Sequence, residues 1–289
     1  MTRKIAKIAT SRCLFNYKGA PMNRREKSLN ITIYPPEVQG VGEFDGGRIT
    51  EIKPLGFPGE GPGVPHTGPL FYWAWATAKG YGKIGLHPHR AFEIMSYALA
   101  GEIGHYDTMG NRSRVKAGGA QVMQTGSGVS HEEETVGEHN ELFQIWFEPN
   151  LKETIRQTPT YAEFRHEDFP VEVRDGVTLK HIIGNGAPIS ILAAAAMQEI
   201  LIPSSHGYRR ELSANRTLAI VVITGEGTLS DEADSEHHDL EPRYFAVVHA
   251  KTEGSVAIHA EKDVSLRIAM IEVPATVEYA LYREQRPAY

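Results

Sequence analysis

His87-Pro88-His89-Arg90-Ala91-Phe92-Glu93-Ile94-Met95-Ser96-Tyr97-Ala98-Leu99-Ala100-Gly101-Glu102 sets two histidines, one residue apart, at the head of an apolar run that closes on a glycine. Phe92 to Leu99 reads as a β-strand, and Ala100-Gly101 as a tight hairpin turn into a further strand from Gly101 to Tyr106. Gly82 and Gly85 precede the histidines, as expected where a chain turns into a barrel strand. Pro88 fixes φ and removes a ladder donor, so this strand start is read as an edge or a bulge.

Outward from this segment the same texture continues. Phe71 to Trp75, Gln121 to Thr125 and Leu142 to Glu148 read as strands, with Met109-Gly110-Asn111 as a turn. A second β-rich series begins near Leu179 and includes Thr217 to Ile223, Gly227 to Ser230, Arg243 to His249, Ser255 to His259 and Ser265 to Ile271. Glu153 to Arg165, interrupted by Thr158-Pro159-Thr160, reads as a connector with a short helix at most. Ala193 to Ala196 favours helix by propensity, but flanking isoleucines lead us to read it as extended. The expected fold is all-β: two antiparallel β-barrels, residues 1–150 and 151–289, joined by a short helical or irregular connector.

The H-x-H motif gains meaning from His131-Glu132-Glu133, which follows the glycine-bearing turn Gly126-Ser127-Gly128. Alternate side chains on a strand face the same way, roughly 6.6 Å apart. An H-x-H on one strand and an H-x-E on its neighbour can therefore converge on one cation. Of the three consecutive acids, alternation places Glu133 on the face of His131 and turns Glu132 and Glu134 away. Imidazole nitrogens with one carboxylate oxygen suit Fe(II), Mn(II), Ni(II), Cu(II) or Zn(II) better than Mg(II) or Ca(II). Glu93 is read as a group that could orient a ligand histidine. His105 and His139 flank the motif and are read as surface positions with a possible substrate role. Glu236-His237-His238-Asp239 reads as a solvated hairpin loop, and His206 with His259 only faintly mimics the first constellation.

Composition narrows the partners. The 289 residues carry a formal net charge of -6, which gives no basic footprint for nucleic acid or an anionic membrane surface. The basic run Met22 to Lys27 is short and contains Glu26. No window approaches the roughly twenty apolar residues of a membrane span, and no signal-peptide-like apolar stretch follows the basic start. The single cysteine, Cys13, excludes an intrachain disulfide framework and fits a reducing, cytoplasmic setting. No P-loop, dinucleotide fingerprint, G-x-S-x-G elbow or H-E-x-x-H is present.

His87-Pro88-His89-Arg90-Ala91-Phe92-Glu93, Gly110-Asn111, Gln121-Val122-Met123 and Gly126-Ser127-Gly128-Val129-Ser130-His131-Glu132-Glu133 closely resemble, in order and spacing, the pirin family of the cupin superfamily. The resemblance runs from about Gly82 to Glu148. It implies a bicupin with one metal in the N-terminal barrel and none in the C-terminal one. His87, His89, His131 and Glu133 fall on the family's iron-binding residues. Ala91 stands where a glycine is usual, Val122 where a tryptophan is common, and the acidic-aromatic run before the site is missing.

Some pirins resemble quercetin 2,3-dioxygenases. The resemblance thus implies an Fe(II)-dependent oxygenase acting on a flavonol-like substrate and dioxygen, with Glu133 as catalytic base and Phe92, Met123 and Phe143 as apolar wall residues. The rival expectation is an iron-binding regulator that binds a transcription factor or metabolic enzyme. A third is another cupin chemistry, such as an isomerase or a different oxygenase.

Overall fold

The computed structural model describes residues 27–57, 64, 66–234 and 236–282, so Cys13 and most of the basic run lie outside the described residues. All pairings between the strands are antiparallel. Among the described residues no helix is long and apolar enough to cross a membrane.

A nine-stranded sheet forms the earlier barrel around two long strands, Glu93–Asp107 and Val129–Phe147. Gly82–His89 and Arg112–Lys116 pair with these strands beyond the main sheet path. The later barrel is made from a seven-stranded and a four-stranded sheet. Their facing side chains, among them Leu179, Ile200, Leu218, Ile220, Leu229, Ile258 and Ile268, form one buried aliphatic cluster.

Two strands pair across the division expected at residue 150. Leu29–Tyr34 joins the later seven-stranded sheet beside Phe245–Ala250. Thr160–Phe164, in the expected connector, joins the earlier sheet beside Ala120–Gln124. The connector's helix is the single turn Leu151–Thr154.

The expected hairpin at Ala100-Gly101 is instead a bulge within one continuous strand. The register of Glu93–Asp107 against Val129–Phe147 shifts on both sides of Ala100. Gly101 has φ +72°, and a Cβ there would lie 2.5 Å from the His139 carbonyl oxygen. The bulge flips the alternation: Ile94, Ser96 and Ala98 face the interior before it, Ile103 and His105 after it.

Between the barrels the two large sheets pack face to face. Trp73 meets Phe143 at 5.4 Å between ring centroids and Phe245 at 6.1 Å, both near-perpendicular. Burying side chains of this kind stabilises by about 1.5–3 kcal/mol each. Phe143, expected as a pocket wall, belongs to this core because its face of the strand is opposite that of Leu142 and Gln144.

Polar pegs complete the junction. Buried Lys180 donates to the Gly118 carbonyl and to the Tyr97 hydroxyl, and burial pushes its ammonium down to about 8. Arg267 pairs with Glu199 at 2.8 Å.

Two further expectations are corrected here. Ala193 to Ala195 are irregular, and a strand starts only at Ala196. The expected hairpin loop from Glu236 to Asp239 is largely strand: His237–Leu240 is an edge strand beside Gly227–Asp231, with Leu240 buried, His238 half-buried and His237 and Asp239 exposed.

Candidate metal centre

The strand Gly82–His89 carries a bulge between Ile84 and His87, which sets His87 opposite His131 and His89 opposite Val129. This brings the rings of His87, His89 and His131 into mutual contact, with centroids 4.5–4.9 Å apart. One ligand nitrogen from each lies within 4.8 Å of the others, so the three are able to hold a metal ion.

The nitrogens are prepared for that role. His87 Nδ1 donates to the Gly85 carbonyl at 2.8 Å, leaving Nε2 as the bare nitrogen. His131 is 2% exposed, and among the described residues neither of its nitrogens has a hydrogen-bond partner; nor does His89 Nε2. Burial pushes both imidazoles down to about 3, and the neighbouring rings add to the shift. Orphaned buried nitrogens held neutral are costly in a protein without a cation and are the donor set a transition metal needs.

Glu133 stands apart from this trio. Its Oε1 accepts from Ser96 Oγ at 2.9 Å and its Oε2 from Gln144 Nε2 at 2.6 Å. Gln144 Oε1 in turn accepts from Trp146 Nε1 at 3.1 Å, and Trp146 stands edge-on to His89 at 4.7 Å. Trp146 and Gln144 were not singled out from the sequence. The signal was hidden because interior positions on Val129–Phe147 are odd-numbered at His131 and Glu133 but even-numbered at Gln144 and Trp146. The register change between Val136 and Glu141 separates the two phases.

Glu93 does not orient a histidine. Buried at 1% exposure, it accepts from the amides of Leu192 at 2.6 Å and Ala193 at 2.9 Å and from Gln124 Nε2 at 2.7 Å. It ties the two barrels together. Burial raises its carboxyl above the ordinary range, against those three hydrogen bonds.

His105, expected at the surface, is 4% exposed and packs 5.5 Å from His131. His139 is at the surface, bonded to Glu141 at 2.7 Å. Met123 is buried beside Ile94 and Val129, and half-buried Phe92 packs on that cluster with Trp146. Ala91 adopts φ +70°, a left-handed conformation that favours glycine. Its amide donates to the Gly126 carbonyl, so the turn after His89 is locked to the turn before His131.

Comparison with known proteins agrees with this geometry. The Pirin family model matches residues 76–147. A pirin-like protein of Caulobacter vibrioides is 32% identical over 150 residues, 48% of this chain and 54% of the relative. The quercetin 2,3-dioxygenase of Escherichia coli is 40% identical over 85 residues, 29% of this chain and 36% of that protein. The chain spans about half the length of the curated pirins it matches. Among solved structures, the bacterial pirin YhhW from Escherichia coli in complex with nickel(II) superposes with a TM-score of 0.69 at 21% identity, covering 85% of this chain and 99% of that one. The fold matches that of bicupin pirins, and residues 76–147 are similar to the Pirin family.

Proposed function

We propose that the earlier barrel is a mononuclear metal centre, with His87, His89, His131 and Glu133 as ligands. We further propose that it serves an oxygenase that opens flavonol-like substrates with dioxygen. Fe(II) is the metal we assign, with Mn, Ni, Cu or Zn able to occupy the same donors. The observation that carries this reading is the convergence of three imidazoles around buried nitrogens with no partner. Relatives named as quercetin 2,3-dioxygenases, and a nickel complex of a pirin with this fold, support it.

Such an ion supplies Lewis acidity at a bound hydroxyl and a template for two reactants. The chain's own residues supply the rest. Glu133 takes the hydroxyl proton, its carboxyl oriented by Ser96 Oγ and Gln144 Nε2. Trp146, edge-on to His89 and packed with Ile94, Met123 and Val129, supplies an apolar side that would exclude water from the proton-transfer path. In this reading residues 1–150 are the metal-bearing unit and residues 151–289 a companion unit without metal. The lone cysteine favours a cytoplasmic setting for an Fe(II) enzyme.

The test is an oxygen-electrode assay of iron-reconstituted protein with quercetin. Metal-dependent oxygen uptake with loss of the flavonol absorbance is expected. Silence with quercetin, from protein that holds iron, would overturn the oxygenase and favour the partner-binding role.

A further inference from the structure

We propose that His105 binds substrate: its Nδ1 accepts a hydrogen bond from a hydroxyl of the molecule held at the three-histidine site. This deepens the reading above and rests on it for the identity of the substrate, a chelating phenolic or enolic diol.

The bulge at Gly101 turns His105 inward, and the strand register places it directly opposite Glu133. One side of its ring stacks on Tyr161, 4.1 Å away at 13°. Another borders His131 at 5.5 Å. Tyr161 is itself fixed, its hydroxyl bonded to Ser113 and donating to Gln121 Oε1 at 3.2 Å. The imidazole is thus held beside the three-histidine cluster and cannot turn outward.

Its chemistry is set by Asp107. His105 Nε2 and Asp107 Oδ2 are 3.0 Å apart. The carboxylate is fully buried and also accepts from the amides of Met109 at 2.9 Å and Asn111 at 3.1 Å and from Asn111 Nδ2 at 2.8 Å. Those donors and His105 hold its carboxyl below the usual range against the effect of burial, so it remains an acceptor only. The ring hydrogen on Nε2 is donated to Asp107, and Nδ1 is the nitrogen left to meet a ligand. Nδ1 is buried and has no hydrogen-bond partner among the described residues.

Buried acceptors are rarely left open, and this one is fixed in tautomer and in direction. A hydroxyl is a donor that suits this nitrogen. Glu133 does not provide it: its two oxygens accept from Ser96 Oγ and Gln144 Nε2. A diol that chelates at the three histidines while retaining one O–H supplies it.

The test uses full-length protein loaded with zinc(II), labelled with 15N at histidine, and 4-nitrocatechol as the probe. In the probe-free protein, His105 is expected as the Nε2–H tautomer. On saturation, marked by the probe's visible band, the Nδ1 resonance moves in the direction of an accepted hydrogen bond. His105→Phe should keep zinc at the wild-type ratio and bind 4-nitrocatechol about tenfold more weakly, the size of one net hydrogen bond. A protonated Nδ1 in the free protein, an unmoved resonance in the saturated protein, no binding by wild type, or equal affinity in the variant would each overturn the proposal. The wild-type spectra decide the matter if the variant does not fold. If these results hold while wild-type protein ignores quercetin, the flavonol reading falls and His105 stands; the reverse pattern removes His105 alone.

Discussion

The two barrels of this chain share an antiparallel architecture and differ in what they enclose. The later one closes on Leu218, Ile220, Leu229, Ile258, Ile268 and their neighbours, a buried aliphatic cluster. The earlier one brings His89, His105, His131, Glu133, Gln144 and Ser96 together between buried apolar clusters around Ile103 and Leu142 and around Ile94 and Met123. Strand alternation makes either filling possible, because it fixes which positions face inward and leaves their chemistry free. The aliphatic barrel is built for stability. The polar one gives up apolar burial and holds neutral imidazoles with unmet bonding capacity, a cost that a bound cation offsets.

The largest expected effect is at the polar centre. His89→Ala should lower metal affinity by at least about 100-fold, since loss of a ligand exceeds the 10–100-fold cost of losing a group that merely orients one. Elemental analysis and circular dichroism should show metal gone and the barrel intact. Full metal occupancy would remove His89 from the ligand set.

Glu133→Gln should reduce turnover by about 10²–10⁴-fold and metal content far less, if the carboxylate works as a base. Parallel losses in both would make it a ligand alone.

A matched change in the other barrel should behave oppositely. Ile258→Ala, at a position with 0% exposure, should cost about 2–5 kcal/mol in denaturant unfolding and leave metal stoichiometry unchanged. A loss of metal from that variant would blur the distinction between the barrels.

Acid should strike the polar barrel first. His89 and His131 titrate near 6.5 in the unfolded chain and at about 3 in the folded, metal-free protein. Between those values the unfolded state binds more protons, so stability contributed by the neutral rings is present above 6.5 and is lost as pH falls toward 3. Urea unfolding of metal-free protein across that window should show the decline, and a flat profile would contradict the burial of these rings.

The smallest effect concerns the turn that joins the two ligand strands. Ala91→Gly relieves a left-handed φ of +70° and should stabilise by about 0.5–1 kcal/mol, after allowing for the looser unfolded chain. Thermal unfolding of the metal-free protein would detect it.

Much of this was legible in the sequence, for a physical reason. H-x-H and H-x-E are local patterns whose alternation sets each pair on one face, and the bulge before His87 then brings it opposite His131. What failed were features that depend on distant partners or on phase. Ala100-Gly101 carries the same residues whether the chain reverses or bulges, and only the neighbouring backbone at His139 selects the bulge. That bulge carried His105 inside. Glu93 finds its donors at Leu192 and Ala193, about a hundred residues later, which no spacing rule could supply. Leu29–Tyr34 likewise finds its neighbour far along the chain, at Phe245–Ala250.

The most direct test is an anomalous diffraction map at the iron edge, from crystals of the full chain grown anaerobically with Fe(II). One peak is predicted, bonded to His87, His89 and His131, with Glu133 Oε turned toward it and no peak inside the aliphatic barrel. Iron bound elsewhere, or those three rings pointing away from any density in iron-saturated crystals, would contradict the account.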